Sequence, residues 1–428
     1  MADVKRLAMM MKELDDQLVN CMRCGMCQAV CPVFKQTGRE TDVTRGKLAL
    51  LDGLASEMFT EPEKVNKLIN KCLMCGTCEA NCPSGVKVTD IFFKARAILT
   101  GYFGMSSVQR LAFQKLLTNP TLFNSLVSVA SKFQGLFTKE ANETLGTSCA
   151  RFQAPLVGDR HFKKLAQTPF HADVPKRMTK PGASGVTVAF YPGCVVDKMF
   201  PEVGHACLKV FDYHGVGVFM PENMACCGIP GLSSGEHEGF EELVRENLDL
   251  FDGVEFDYLV TPCATCASTI KKLWPEYSRP YDKRRALQLA PKVMDITQFL
   301  VDVVGVKAVD KQAGIPAVTW HDPCHLRNSM GVTTQPRTLL AATKTYEYVE
   351  MADAASCCGC GGSFTVKFPE MSTAIGEAKA QNVIDSQANV VATGCPACMM
   401  QLSDQLSRKG AKTPVRHAVE LYAETLSS

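Results

Sequence analysis

Two short runs near the start constrain this chain more than anything else in it. Cys21-Met-Arg-Cys24-Gly-Met-Cys27-Gln-Ala-Val-Cys31-Pro32 and Cys72-Leu-Met-Cys75-Gly-Thr-Cys78-Glu-Ala-Asn-Cys82-Pro83 both read C-x2-C-G-x-C-x3-C-P. A [4Fe–4S] cubane needs four thiolates around a compact inorganic core, and C-x2-C-x2-C supplies three from one tight loop. Gly25 and Gly76, each after the second cysteine, keep a side chain out of the crowded backbone beside that core. The fourth cysteine lies beyond reach of its own loop's core, and where two such motifs occur together it ligates the other cluster. The spacing therefore assigns Cys21, Cys24, Cys27 and Cys82 to one cubane, and Cys72, Cys75, Cys78 and Cys31 to a second. Pro32 and Pro83 end the loops and remove a competing amide. Zinc also takes C-x2-C pairs, but as separated pairs rather than complete four-cysteine runs.

The remaining cysteines narrow the class further. There are 21 in 428 residues. That is well below the roughly 8–10% of short disulfide scaffolds, and the odd count leaves one unpaired. The start, Met1-Ala-Asp-Val-Lys-Arg6, is charged and runs into Glu13-Leu-Asp-Asp16. No secretory signal is read there. A cytoplasmic chain is expected, where clustered cysteines bind metal or react rather than cross-link. No apolar run is long enough for a membrane span. Lys and Arg number 46 against 44 Asp and Glu, a net charge of +2 that leaves no footprint for nucleic acid.

Ten cysteines form an internal repeat. Cys194, Cys226-Cys227-Gly228 and Cys263-Ala-Thr-Cys266 make the first copy; Cys324, Cys357-Cys358-Gly359 and Cys395-Pro-Ala-Cys398 make the second. Cys194 to Cys324 is 130 residues, Cys226 to Cys357 is 131 and Cys263 to Cys395 is 132. So constant a shift means two copies of one fold unit. Val186-Thr-Val-Ala-Phe-Tyr191 precedes Cys194 as Ala317-Val-Thr-Trp320 precedes Cys324, and Tyr258-Leu-Val-Thr261 precedes Cys263 as Val390-Val-Ala-Thr393 precedes Cys395. Short β-rich runs followed by helical patterns predict an α/β unit with a largely parallel sheet. Cysteines at the strand ends then converge at one edge. Five thiolates exceed what one cubane needs, and the adjacent pair can bridge two irons. The alternatives are zinc or plain buried cysteines.

The expected fold class is a multidomain α+β/α/β chain. An α-helical two-cluster domain fills 1–100, a helical segment and irregular connector 101–184, and α/β cysteine-rich domains 185–312 and 313–428. The connector is marked by Gly146, Pro155, Gly158, Pro169, Pro175 and Pro181-Gly182. Leu122, Leu126, Val129, Phe133 and Phe137 line one face of a helix that starts after Asn119. Packing of that stripe against the N-terminal domain is expected; a membrane or partner surface is the alternative. His321 and His325 flank Cys324, and either tunes a metal site, shuttles protons or bonds its own loop. Neither is expected to be a ligand. Cys207 reads as a core residue and Cys149 as a bystander, while Cys360 adds a sixth thiol beside the second copy.

These residues carry a family resemblance. Both repeats resemble the cysteine-rich CCG domain of heterodisulfide reductase catalytic subunits and their relatives. The order of two cluster motifs and two such domains resembles the iron–sulfur subunits of membrane-associated glycolate and lactate oxidases. It is also similar to the third subunit of anaerobic glycerol-3-phosphate dehydrogenase and the fused archaeal heterodisulfide reductase subunit. Cys21-Met-Arg-Cys-Gly-Met-Cys27, Thr44-Arg-Gly-Lys47, Tyr191-Pro-Gly-Cys194 and His321-Asp-Pro-Cys-His325 look closest to the glycolate/lactate type. The resemblance implies one or two further clusters, either non-cubane or with zinc replacing one. Cys194, Cys226, Cys227, Cys263 and Cys266 would hold one, and Cys324, Cys357, Cys358, Cys395 and Cys398 the other.

No G-x-G-x-x-G after a strand, no P-loop and no C-x-x-C-H is present, so no dinucleotide, nucleotide or covalent haem site is read. No catalytic residue is assigned in this chain. The resemblance implies an electron-transfer subunit, peripheral on the inner face of the cell membrane. A separate FAD-binding subunit would oxidise a 2-hydroxy acid, and quinone or a membrane-bound carrier would take the electrons. The alternatives are disulfide cleavage at a CCG cluster, or the glycerol-3-phosphate dehydrogenase role.

Overall fold

In the first hundred residues, apolar side chains recur at helical spacing. Leu7, Met11, Leu14 and Leu18 make one stripe; Ile91, Ala95 and Leu99 make another, and all are buried. The computed structural model, which describes residues 4–59, 61–152, 158–312 and 314–426, forms helices at these places. Val4–Met11, Thr44–Ala55, Pro62–Asn70 and Val88–Phe103 pack on one another. Pro62 starts its helix where a missing amide costs nothing. Met1 and Pro155 lie outside the described residues.

The middle of the chain departs from expectation twice. Asn119 caps the helix Pro120–Phe137 through the Leu122 amide (2.9 Å). The apolar stripe of that helix, however, does not pack on the N-terminal domain. Leu122, Leu126, Val129, Phe133 and Phe137 are 44–62% exposed. The helix is held by polar groups on its other side: Ser131 is buried, and the Gln134 amide exchanges hydrogen bonds with the Leu165 backbone (2.8 and 2.9 Å). The segment after it is also more regular than an irregular connector. Strands β1 (Thr138–Asn142), β2 (Thr147–Ala150) and β3 (Phe162–Lys163) form an antiparallel sheet. That sheet is pinned to the helix Pro396–Arg408 by Thr147 to Ser407 (2.7 Å) and His161 to Ser407 (2.8 Å). Polar anchors of this kind leave no apolar alternation to read.

The two cysteine-bearing repeats have the same topology. The first sheet runs β4 (Arg177–Met178), β6 (Gly217–Met220), β5 (Thr187–Phe190), β7 (Tyr258–Thr261) and β8 (Val293–Asp295), parallel except for β4. The second runs β10 (Glu347–Tyr348), β9 (Ala317–Trp320), β11 (Val390–Thr393) and β12 (Val415–His417), all parallel. Without β4, the two orders superimpose strand for strand. Val188, Ala189 and Phe190 are fully buried, as are Val391 and Ala392. Continuous apolar strands of this kind suit sheets covered on both faces. In each sheet the first and third strands lie side by side, the switch point where α/β folds gather ligands at the strand C-termini. Cys194 and Cys263 follow β5 and β7; Cys324 and Cys395 follow β9 and β11. Among the described residues, no helix is long and apolar enough to cross a membrane.

Candidate metal centres

The two N-terminal motifs fold alike. Arg23 and Met74, just before the second cysteine, have φ of 56° and 55°, and Gly25 and Gly76, just after it, have φ of 85° and 69°. Two left-handed residues bracket Cys24 and Cys75, which curls each loop into a cup. Cys21, Cys24, Cys27 and Cys82 line one cavity, which Cys78 also borders. Cys31, Cys72, Cys75 and Cys78 line a second. Each motif thus places its last cysteine in the other motif's cavity. Cys24 is exposed, whereas Cys75 is buried.

Buried cations attend these sulfurs. Lys47 is 2% exposed and donates to the Asp42 carbonyl (3.0 Å) and to that of Lys71. Arg96 is 4% exposed and donates to the carbonyls of Cys72 (2.8 Å), Ser233 (2.7 Å), Ile69 (3.2 Å) and Asn70 (3.3 Å). Arg45 pairs with Glu40 (2.6 Å) beside Cys27. Burial pushes the Cys78 thiol up to about 12, and Cys75 and Cys31 also upward. Thiols so desolvated lose their protons when a metal replaces it. Four convergent cysteines per cavity fit a [4Fe–4S] core.

In the first repeat, Cys194 Sγ lies 3.7 Å from Cys226 Sγ. Cys227 accepts from Cys226 and Cys266, which holds its thiol well below the ordinary value despite burial. The Cys266 amide points at Cys263 Sγ (3.5 Å). The site is tightly framed: a Cβ on Gly193 would stand 3.1 Å from Cys266 Sγ. The Trp274 indole donates to the Cys227 carbonyl (3.0 Å), and the Tyr191 hydroxyl to that of Ala225 (2.5 Å). In the second repeat, Cys358 Sγ lies 3.3 Å from Cys398 Sγ, and Cys324 hydrogen-bonds Cys357. Burial raises the Cys360 thiol to about 11.

The four groups are neighbours in space. Cys263 of the first repeat meets Cys395 of the second, and Thr265 Oγ1 lies 3.4 Å from Cys395 Sγ. The Ala264 amide donates to the Gly394 carbonyl (3.0 Å). Cys75 packs in one cluster with Cys31, Cys324 and Cys357. Asn328 donates to the Cys75 carbonyl (3.0 Å), and His325 lies between Thr265 Oγ1 (3.0 Å) and the Met74 carbonyl (3.3 Å). Cys207 is buried in the helix Pro201–Tyr213, and Cys149 sits half-buried on β2.

Residues 17–86 match the model of the 4Fe-4S dicluster domain, and residues 188–271 and 318–403 each match that of the cysteine-rich domain. The probable glycolate oxidase iron-sulfur subunit of Bacillus subtilis is 31% identical over 99% of this chain and 97% of its own. The chain belongs to the family of glycolate oxidase iron–sulfur subunits. Relatives within reach of this family differ in what they serve. One of the subunits of the CoM/CoB fumarate reductase of Methanothermobacter marburgensis is 29% identical over 92% of this chain and 69% of its own. Lactate utilization protein A of an Exiguobacterium species is 31% identical and covers 55% of this chain with 97% of its own. A hypothetical protein from Helicobacter pylori shares the fold, with a TM-score of 0.50 at 11% identity over 90% of this chain and 68% of that one.

Sequence reasoning missed the buried cations. Lys47 had a signal: it occupies the core face of its helix with Leu51 and Leu54, where an apolar residue is due. Lys379, 1% exposed near Cys358 and Cys357, had the same signal: it lies on the core face of the helix Pro369–Asp385 with Ile375 and Val383.

Proposed function

We propose that this chain is the electron-transfer subunit of a flavin-dependent 2-hydroxy-acid dehydrogenase, acting on glycolate or lactate. The observation that carries this reading is the unbroken row of sulfur sites. It runs from the Cys21 cavity to the Cys72 cavity, then to the second repeat, then to the first. Clusters bound in these sites would supply one-electron redox chemistry, which a two-electron flavin partner needs for stepwise transfer. Cys21, Cys24, Cys27 and Cys82 would hold one cubane, and Cys31, Cys72, Cys75 and Cys78 the other. The five cysteines of each repeat would hold one further centre. The domain limits 1–100, 101–184, 185–312 and 313–428 are part of the same proposal.

The row has two ends that reach the surface. At one, Cys21 borders an open polar groove with Lys12, Asp15, Arg23, Arg45 and Asp52. This suits docking of the flavoprotein. At the other, Asn124 of the exposed apolar helix lines a cavity beside Cys194 with Phe170 and His171. This suits a quinone or a membrane-bound carrier. The test is iron and zinc analysis with EPR on the anaerobically purified chain, alone and with its flavoprotein. About eight irons account for two cubanes, at four each, and further metal belongs to the repeats. Reduction of these centres by the flavoprotein with glycolate or lactate is the expected result. A chain without iron, or with iron that the partner never reduces, refutes the proposal.

A further inference from the structure

The two repeats are not equivalent at one buried position. The Tyr191 amide donates to the Val260 carbonyl beyond the end of β5 (2.9 Å), and the His321 amide donates to that of Ala392 beyond the end of β9 (2.9 Å). The two residues therefore hold the same register in matched sheets. Each faces the second cysteine of the pair and the last cysteine of its repeat: Cys227 and Cys266 for Tyr191, Cys358 and Cys398 for His321.

Their polar atoms behave differently. The Tyr191 hydroxyl has a partner, the Ala225 carbonyl. His321 is 1% exposed, and neither ring nitrogen has a hydrogen-bond partner. A buried, unpaired imidazole is costly, because it gives up hydration with no hydrogen bond in return. One of its nitrogens lies within 4.8 Å of both the Cys358 and Cys398 sulfurs, which are themselves 3.3 Å apart. The Ala354 carbonyl lies near the ring, short of hydrogen-bond geometry. Metal-bound histidines commonly turn their second nitrogen to such a carbonyl.

We propose that His321 is a metal ligand in the second repeat, sharing a metal with Cys358 and Cys398. The first repeat, with tyrosine in that place, is a sulfur-only site. This rests on the reading that the second repeat binds metal, whether iron of a cluster or zinc. One nitrogen among sulfurs makes the two centres chemically distinct: histidine in place of cysteine raises the potential of an iron–sulfur centre.

The test uses the full chain, purified anaerobically with 15N-labelled histidine, after its iron and zinc are counted. Pulsed EPR of the reduced protein is expected to show one directly bonded histidine nitrogen. If the second repeat holds zinc, absorption at the zinc edge is expected to show a nitrogen at about 2.0–2.1 Å beside sulfurs at about 2.3 Å. His321→Tyr, which copies the first repeat, is expected to remove that nitrogen, and His325→Gln to leave it. Metal beyond two cubanes with sulfur ligands alone in the unmutated protein overturns the proposal, whatever the variants do. So does loss of the nitrogen in His325→Gln but not in His321→Tyr. About eight irons and no zinc instead refute metal binding in the repeats, and the ligand with it.

Discussion

Arg96 ties the N-terminal helices together and joins them to the first repeat. Its guanidinium, 4% exposed, reaches Ser233 beyond Gly228 of the first repeat (2.7 Å) and Cys72 of the second motif (2.8 Å). Replacing it with Met keeps the apolar stem and removes the fork. The two short hydrogen bonds to a charged group contribute about 1.5–3 kcal/mol each, and their carbonyls are left buried and unpaired. Relief of the buried charge offsets part of this. The net expectation is a loss of about 3 kcal/mol. At about 2 °C per kcal/mol for a long chain, the apparent melting midpoint falls by about 6 °C. Three of the four accepting carbonyls belong to Ile69, Asn70 and Cys72. The Cys72 cavity should therefore lose iron first. Thermal melts at one scan rate, read by circular dichroism and by EPR of the two cubanes, measure both effects. Arg96→Lys should fall between, since an ammonium cannot span all four carbonyls. A midpoint within about 1 °C of the parent, or equal loss of both cubanes, refutes the reasoning.

Cys82→Ser is expected to abolish or alter the EPR signal of the exposed cubane, and Cys31→Ser that of the buried one; the reverse pairing would defeat the crossed assignment. Leu126→Glu with Phe133→Glu, on the exposed apolar helix, should slow electron delivery to membranes or quinone. Reduction by the flavoprotein and visible absorbance should be unchanged. Arg337 joins Asp322 (2.9 Å) to Glu350 (2.7 Å), and its hydrogen bond holds the Glu350 carboxyl below the usual range. A depressed folded-state value means that the folded state binds the proton less tightly. That stability is full above the ordinary glutamate value and is lost as pH falls through the folded one. Glu350→Gln should flatten this part of the stability–pH curve between about pH 5 and 3, as urea melts across that range would show.

The cysteine framework was legible because ligand spacing is a local property. Both cups close within a dozen residues, and the repeat offset survives every insertion between landmarks. The matched sheets followed from the β-rich runs before Cys194, Cys263, Cys324 and Cys395. The apolar stripe from Leu122 to Phe137 misled, because periodicity says that a helix has an apolar face and not what covers it. The small sheet β1–β3 escaped notice because its anchors, Thr147 and His161, are polar and bind Ser407, far along the chain. The match of His321 to Tyr191 is visible in the repeat, since each lies three residues before the first cysteine of its copy; the unpaired, buried ring is the tertiary fact that sets His321 apart.

Buried positive charge suits clusters in these sites. Lys47 and Arg96 stand by Cys72, Lys198 by Cys194, and Lys379 by Cys357 and Cys358. Burial lowers Lys47, with Arg96 adding to it, and leaves Lys379 at about 8, while the neighbouring sulfurs act to hold the charge. Lys47 and Lys379 are bonded to backbone carbonyls and Lys198 to the Asp197 carboxylate, and neutral thiols would add no opposite charge to these partners. Beside metal-bound thiolates, whose total charge is negative, each lysine is a counter-ion. It also makes electron uptake easier, since the reduced centre is more negative still. The cations follow the sulfur sites rather than the sequence motifs: Arg96 lies 24 residues from Cys72, and Lys379 lies 21 from Cys358. That placement makes sense for a protein whose buried row of thiols is meant to carry charge.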